Sequence, residues 1–149
     1  MEIDFSKYNG AGNDFILIDD RDNLINDNKL LISYLCDRHF GVGADGLIIL
    51  KESNNCDFEI LHYTSDGNLG SLCGNGSRCA VLFAYNKNII GKKTVFNAFD
   101  GIHSAEILDN GLIKMEMKVN SDIVSNSYGT FIDTGCLLYT SDAADESVS

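Results

Sequence analysis

The residues best suited to chemistry lie in one short stretch, Asp66-Gly67-Asn68-Leu69-Gly70-Ser71-Leu72-Cys73-Gly74-Asn75-Gly76-Ser77-Arg78-Cys79. It sets Cys73 in a glycine-rich loop immediately before a segment that reads as a helix. Unpaired backbone N–H groups and the positive end of the helix dipole favour a thiolate at such a position. Cysteines there ionise below the free value of about 8.5, which suits proton transfer at neutral pH. The flanking glycines let a ligand approach the backbone, and the N–H groups of Gly74 and Asn75 can hold a carboxylate. A small buried hydrophobe is the plain alternative for Cys73. Cys79, six residues on, is turned about 240° around the helix and is expected in the core. Cys36 and Cys56 have no activating surroundings and read as structural.

These residues need elements to hold them. Residues 2–8 alternate apolar and polar and predict a strand, and residues 15–19 form a short apolar run of strand length. Gly10-Ala11-Gly12-Asn13-Asp14 predicts a loop. Leu30, Leu31, Tyr34 and Leu35 recur at helical spacing within 28–38. Residues 47–50 and 58–63 give two more strands, and 64–72 a turn-rich loop. Cys79 to Tyr85 has no polar face, so it reads as a buried helix. Residues 94–99, 102–108 and 112–119 predict strands, the last two joined through Asp109-Asn110-Gly111, a type I′ hairpin signal. The expected fold class is α+β, mostly antiparallel β-structure wrapped around a central buried helix.

Composition narrows the function. Eleven basic residues stand against 22 acidic ones in 149, a net charge of −11, which repels phosphate backbones. Nucleic acid is therefore not an expected partner. No stretch approaches the roughly 20 apolar residues of a membrane span, and residues 1–7 lack a signal-peptide pattern. A cytoplasmic protein with reduced thiols is expected. None of the five cysteines forms a Cys-x-x-Cys pair, so a zinc or thioredoxin-like reading is weak.

Three motifs in order carry a family resemblance. Cys73-Gly74-Asn75-Gly76-Ser77-Arg78-Cys79 closely resembles the active-site signature of diaminopimelate epimerases. Phe5-Ser6-Lys7-Tyr8-Asn9-Gly10-Ala11-Gly12-Asn13-Asp14-Phe15 is similar to their N-terminal loop, and Leu35-Cys36-Asp37-Arg38-His39-Phe40-Gly41-Val42-Gly43-Ala44-Asp45-Gly46 is a third match. The resemblance implies two similar domains with the active site between them. It also implies interconversion of LL- and meso-diaminopimelate, on the path to lysine and peptidoglycan, without cofactor or metal. Two cysteines face each other across the substrate α-carbon in that family. One takes the proton as thiolate and the other, as thiol, delivers one to the opposite face.

By the resemblance, Cys73 matches the first-domain cysteine, Asn13 the N-terminal substrate-binding asparagine, and Gly74 and Asn75 the backbone cradle. Thr64 stands where the family usually has a substrate-contacting asparagine, trading an amide for a hydroxyl. Gly46 aligns where some relatives carry a ligand-shell glutamine, so that contact is not carried over. His39, His62 and His103 are given no catalytic role, and Asp45 and Asp66, each before a glycine, are assigned to turns.

The expected organisation is an N-terminal epimerase domain over 1–119, the start of a crossover to a second domain over 120–135, and a tail over 136–149. The run from Cys136 through Glu146 resembles a translated sequencing adapter, so that tail is expected to be non-native and disordered. The second catalytic cysteine is then missing, Cys136 does not replace it, and the chain alone is expected to be inactive. A full-length parent could be a homodimer. Two rival readings stay open: another cofactor-independent amino acid racemase of the same architecture, such as a proline-racemase-like enzyme, and a non-catalytic amino-acid-binding domain.

Overall fold

A computed structural model describes residues 2–118 and 122–133. The chain divides into two compact units, residues 1–117 and a second beginning at Lys118. The tail of 136–149 lies outside the described residues.

The first unit carries one seven-stranded sheet. Its strands are β1 (Ser6–Gly10), β2 (Asn13–Asp19), β3 (Gly46–Lys51), β4 (Phe58–Thr64), β5 (Lys93–Ala98), β6 (Gly101–Ile107) and β7 (Ile113–Met115), adjacent in that order. Helix α1 (Lys29–Cys36) crosses between the parallel pair β2–β3, and α2 (Gly74–Asn86) between the parallel pair β4–β5. The remaining four pairings are antiparallel. The fold is thus α+β with mostly antiparallel pairing, as the sequence predicts. In the second unit, β8 (Val124–Asn126) and β9 (Gly129–Phe131) form a hairpin.

The continuous apolar runs of β2 and β3 follow from burial on both faces of the sheet. Phe15, Leu17, Ile48 and Leu50 point to one side, where they join Ala80, Val81, Phe83 and Ala84 of α2. Ile16, Ile18, Leu47 and Ile49 point to the other, against Ile32 and Cys36 of α1. Each such side chain taken from water contributes about 1.5–3 kcal/mol. Helix α2 packs against both edge strands, β1 and β7, as well as β2, β3 and β4, so the sheet curls around it. Among the described residues no helix is long and apolar enough to cross a membrane.

Several local expectations change. The first strand is Ser6–Gly10 rather than 2–8. Helix α1 starts at its Asn28 cap, whose side chain accepts from Leu31 N, but its buried positions are Ile32 and Cys36. Leu30 and Tyr34 face outward instead. Helix α2 begins five residues before Cys79. The 109–111 turn is not type I′, because only Gly111 has positive φ. Gly111 N–H donates to Leu108 O and Leu108 N–H to Leu112 O, a three-residue loop closed by a left-handed glycine. The type I′ conformation sits elsewhere: Ala11 (φ 54°) and Gly12 (φ 84°) join β1 to β2, with Gly10 opposite Asn13.

Candidate active site at the N-terminus of α2

The strand directions gather the predicted residues. β2 and β3 run parallel and β4 runs against them, with Phe15 opposite Gly46 and Gly46 opposite Thr64. The start of β2, the start of β3 and the end of β4 therefore share one end of the sheet. The tight turn at Ala11-Gly12 brings the end of β1 to the same place. Gly10 permits a close approach there, since a Cβ on it would lie 3.1 Å from both Asn75 O and Cys79 Sγ.

Cys73 is the N-cap of α2, with extended backbone angles, and its sulfur accepts from Gly76 N–H at 3.4 Å. Gly76 lets this first turn settle onto the sheet, because a Cβ would come within 2.9 Å of Ile48 Cδ1. The Cys73 thiol also donates to Asn13 Oδ1 at 3.7 Å. Two residues 60 positions apart, one on each motif, thus meet. Gly74 and Asn75 form the opening turn of the helix, whose N–H groups lack carbonyls four residues back. The Asn75 side-chain oxygen accepts from Arg78 in the same first turn.

Thr64 ends β4 at the same end of the sheet, but its hydroxyl is engaged within its own loop. It contacts the Asp66 carboxylate and lies 3.1 Å from Asn68 O. The Thr64 hydroxyl and the Asn68 N–H hold the Asp66 carboxyl below its ordinary range.

Of the other described cysteines two are buried, and Cys56 is half-buried. Cys36 and Cys79 are 3% and 4% exposed. Burial pushes the Cys36 thiol up to about 11 and raises Cys79 as well. His103 is buried between Asp100, 2.7 Å from Nε2, and the carbonyl of Glu116. His62 sends Nδ1–H to the carbonyl of Ser71, and burial lowers its proton affinity. His39 sits in an exposed turn, its N–H donating to Asp37. Among the described residues no three His, Cys, Asp or Glu side chains cluster to hold a metal.

Around the Asn13 amide lies an ion network of which sequence reasoning assigned only Asp45, to a turn. Arg38 donates to both carboxylate oxygens of Asp14, at 2.8 and 3.1 Å, and to Asp45 at 2.9 Å. Lys7 reaches Asp14 at 2.8 Å. Arg38, reinforced by Lys7, overcomes desolvation and holds the Asp14 carboxyl far below the ordinary carboxylate range. Asp45 accepts from Asn13 Nδ2 at 2.7 Å and from Asp14 N–H at 3.2 Å. Arg38 and Asp45 are about half exposed, so solvent screens these pairs and they add little to stability. Their consequence is geometric, locking the loop before β3 to the start of β2. The usable signal was that Asp14, Arg38 and Asp45 all fall inside the two upstream motifs.

Comparison with known proteins agrees with those motifs. Residues 5–122 match the diaminopimelate epimerase family. The diaminopimelate epimerase of Flavobacterium psychrophilum is 48% identical over 130 residues, covering 87% of this chain and 51% of that protein. That of Aquifex aeolicus is 38% identical over 152 residues, covering 89% and 54%. In fold, the chain resembles a PhzF-family phenazine biosynthesis protein of Bacillus anthracis, with TM-score 0.63 and 18% identity over 80% of this chain and 42% of that one. It also resembles a methylitaconate-delta-isomerase, with TM-score 0.61 and 14% identity over 89% and 83%. The chain spans about half the length of the curated relatives it matches. It belongs to the diaminopimelate epimerase family.

Proposed function

We propose that this chain forms one half of the active site of a cofactor-independent epimerase that interconverts LL- and meso-diaminopimelate, with Cys73 as one of two acid–base sulfurs. The observation that carries the reading is the Cys73 sulfur itself. It caps α2, accepts from Gly76 N–H, and faces the Asn13 amide across the end of the sheet.

The chemistry follows from that position. One sulfur, as thiolate, takes the α-proton, and the electron pair left on carbon delocalises into the carboxylate. The N–H groups of Gly74 and Asn75, with the helix dipole behind them, stabilise that growing negative charge. A second sulfur then gives a proton to the opposite face. A single base returning its proton to the same face would restore the starting isomer, so two are required. The second belongs to the part of a longer parent that this chain does not span. Asn13 and Thr64 contact the substrate, Thr64 by exchanging its bond to Asp66 for one to the ligand.

Early-time proton NMR of the full-length parent in D2O tests the two-base reading. Starting from the LL isomer, deuterium should enter the inverted carbon of the meso product while recovered LL material keeps its protium. Equal label in both at early times would contradict a two-sulfur mechanism.

A further inference from the structure

The His62 ring lies under the stretch of chain that leads into Cys73. Residues alternate along β4, so His62 shares with Phe58 and Ile60 the face turned toward α2. There it meets Phe15 edge to face, with ring centres 5.8 Å apart. Its Nδ1 lies 3.0 Å from the carbonyl oxygen of Ser71. A carbonyl only accepts, so the ring carries a proton on Nδ1. Two glycines make room for the ring. A Cβ on Gly70 would lie 2.9 Å from Nδ1, and one on Gly46 would lie 3.2 Å from Nε2.

Residues 70–73 form a strap that runs into α2 outside any helix or strand. One end is fixed where Gly70 N–H donates to the His62 carbonyl at 2.7 Å, the other where Cys73 O accepts from Ser77 N–H at 2.8 Å. Between them Leu72 is buried in the core and anchors the strap by packing. Burial of that kind is non-directional, so it does not fix how the peptide planes of the strap are turned. The bond from Nδ1 is directional and fixes the plane between Ser71 and Leu72. His62 thus grips the strap with its backbone and its side chain together.

We infer that His62 is a positioning residue for the reaction: through its Nδ1–H bond to the Ser71 carbonyl it sets the orientation of the strap that presents Cys73 to the substrate. This rests on the epimerase reading above and adds a residue of β4 that none of the three motifs contains.

The test uses the full-length parent with two substitutions. His62→Leu fills similar space without a donor, and His62→Asn carries an amide nitrogen as many bonds from Cα as Nδ1. Two readouts are taken: kcat with KM, and hydrogen exchange of the backbone amides over 71–76, followed by mass spectrometry.

His62→Leu should lower kcat on the order of ten- to a hundredfold through misplacement of the sulfur, and kcat/KM should fall with it. Its amides over 71–76 should exchange faster than the parent's. His62→Asn keeps the bond, so it should hold kcat within about threefold of the parent and leave exchange unchanged. A histidine that only supported the fold would lower the melting temperature in His62→Leu and spare the kcat of the folded enzyme. Parent-like kcat or parent-like exchange in His62→Leu overturns the inference, and so does a His62→Asn variant as impaired as His62→Leu. Should His62→Leu fail to fold, His62→Met, which also lacks a donor, takes its place with the same expectations. Exchange does not depend on turnover. An inactive parent would therefore sink the epimerase reading, while the exchange pattern would still decide whether His62 holds the strap.

Discussion

Replacing Cys73 by alanine in the full-length parent should lower kcat for epimerisation by about 10²–10⁴-fold, the usual worth of a positioned acid–base group. The fold should survive the change. The sulfur accepts one N–H at 3.4 Å, and losing such a cap costs about 1 kcal/mol. Cys73→Ser makes the separation cleaner, because a serine hydroxyl is a better N-cap than a thiol but far too weak an acid to exchange the proton. Equal inactivity of both variants, with the serine form at least as heat-stable as the parent, is the expected pattern. A serine variant with more than a tenth of the parent rate would remove Cys73 from the chemistry.

The second large effect is on the loop that carries Arg38 and Asp45. Gly41 lies where this loop folds back on α1, and a Cβ there would sit 1.9 Å from Tyr34 O and 2.8 Å from Leu35 O. Both are backbone atoms at the end of α1, so no side-chain rotation relieves the overlap. The following N–H groups of Val42 and Gly43 both donate to Leu35 O, and Ala44 N–H to Cys36 O, which ties the displacement to Asp45. Gly41→Ala should cost about 3 kcal/mol, at the upper end of over-packing effects, and lower the melting temperature by roughly 6–12 °C. Its catalytic rate should fall with it, as Asp45 loses its place beside Asn13. Gly91→Ala is the control, since nothing lies within 4 Å of a Cβ at that position. A Gly41→Ala melting temperature equal to the control's would show that the loop packs differently.

Much of this arrangement was legible in the residues, and the parts that were not have physical reasons. Cys73 at the mouth of a helix could be read because glycines, a cap position and an apolar run are all local signals. Asn13 came from the motif resemblance, and the Cys73–Asn13 contact joins two motifs that local reasoning treats separately. The hairpin turns show the opposite case. Asn110-Gly111 has the better residues for a type I′ turn, yet Ala11-Gly12 adopts it. There the β1–β2 register and the packing of Gly10 against α2 override the preference of alanine for negative φ. In α1, spacing alone could not tell that Leu30 and Tyr34 would point outward, because Ile32 and Cys36 meet the sheet. Asp45 before a glycine looked like a turn aspartate. Its bonds to Asn13, 32 residues away, and to Arg38 exist only once β2 and β3 lie parallel.

The central claim is that the Cys73 sulfur reaches the α-carbon of the amino acid, and an electrophile at that carbon reads it directly. An aziridine analogue of diaminopimelate, incubated with the full-length parent and mapped by mass spectrometry, should place its thioether on Cys73. Cys36, Cys56 and Cys79 should remain unmodified, and added diaminopimelate should protect Cys73. Labelling spread evenly over these four cysteines, or none on any of them, would contradict the account and favour a domain that binds amino acids without transforming them.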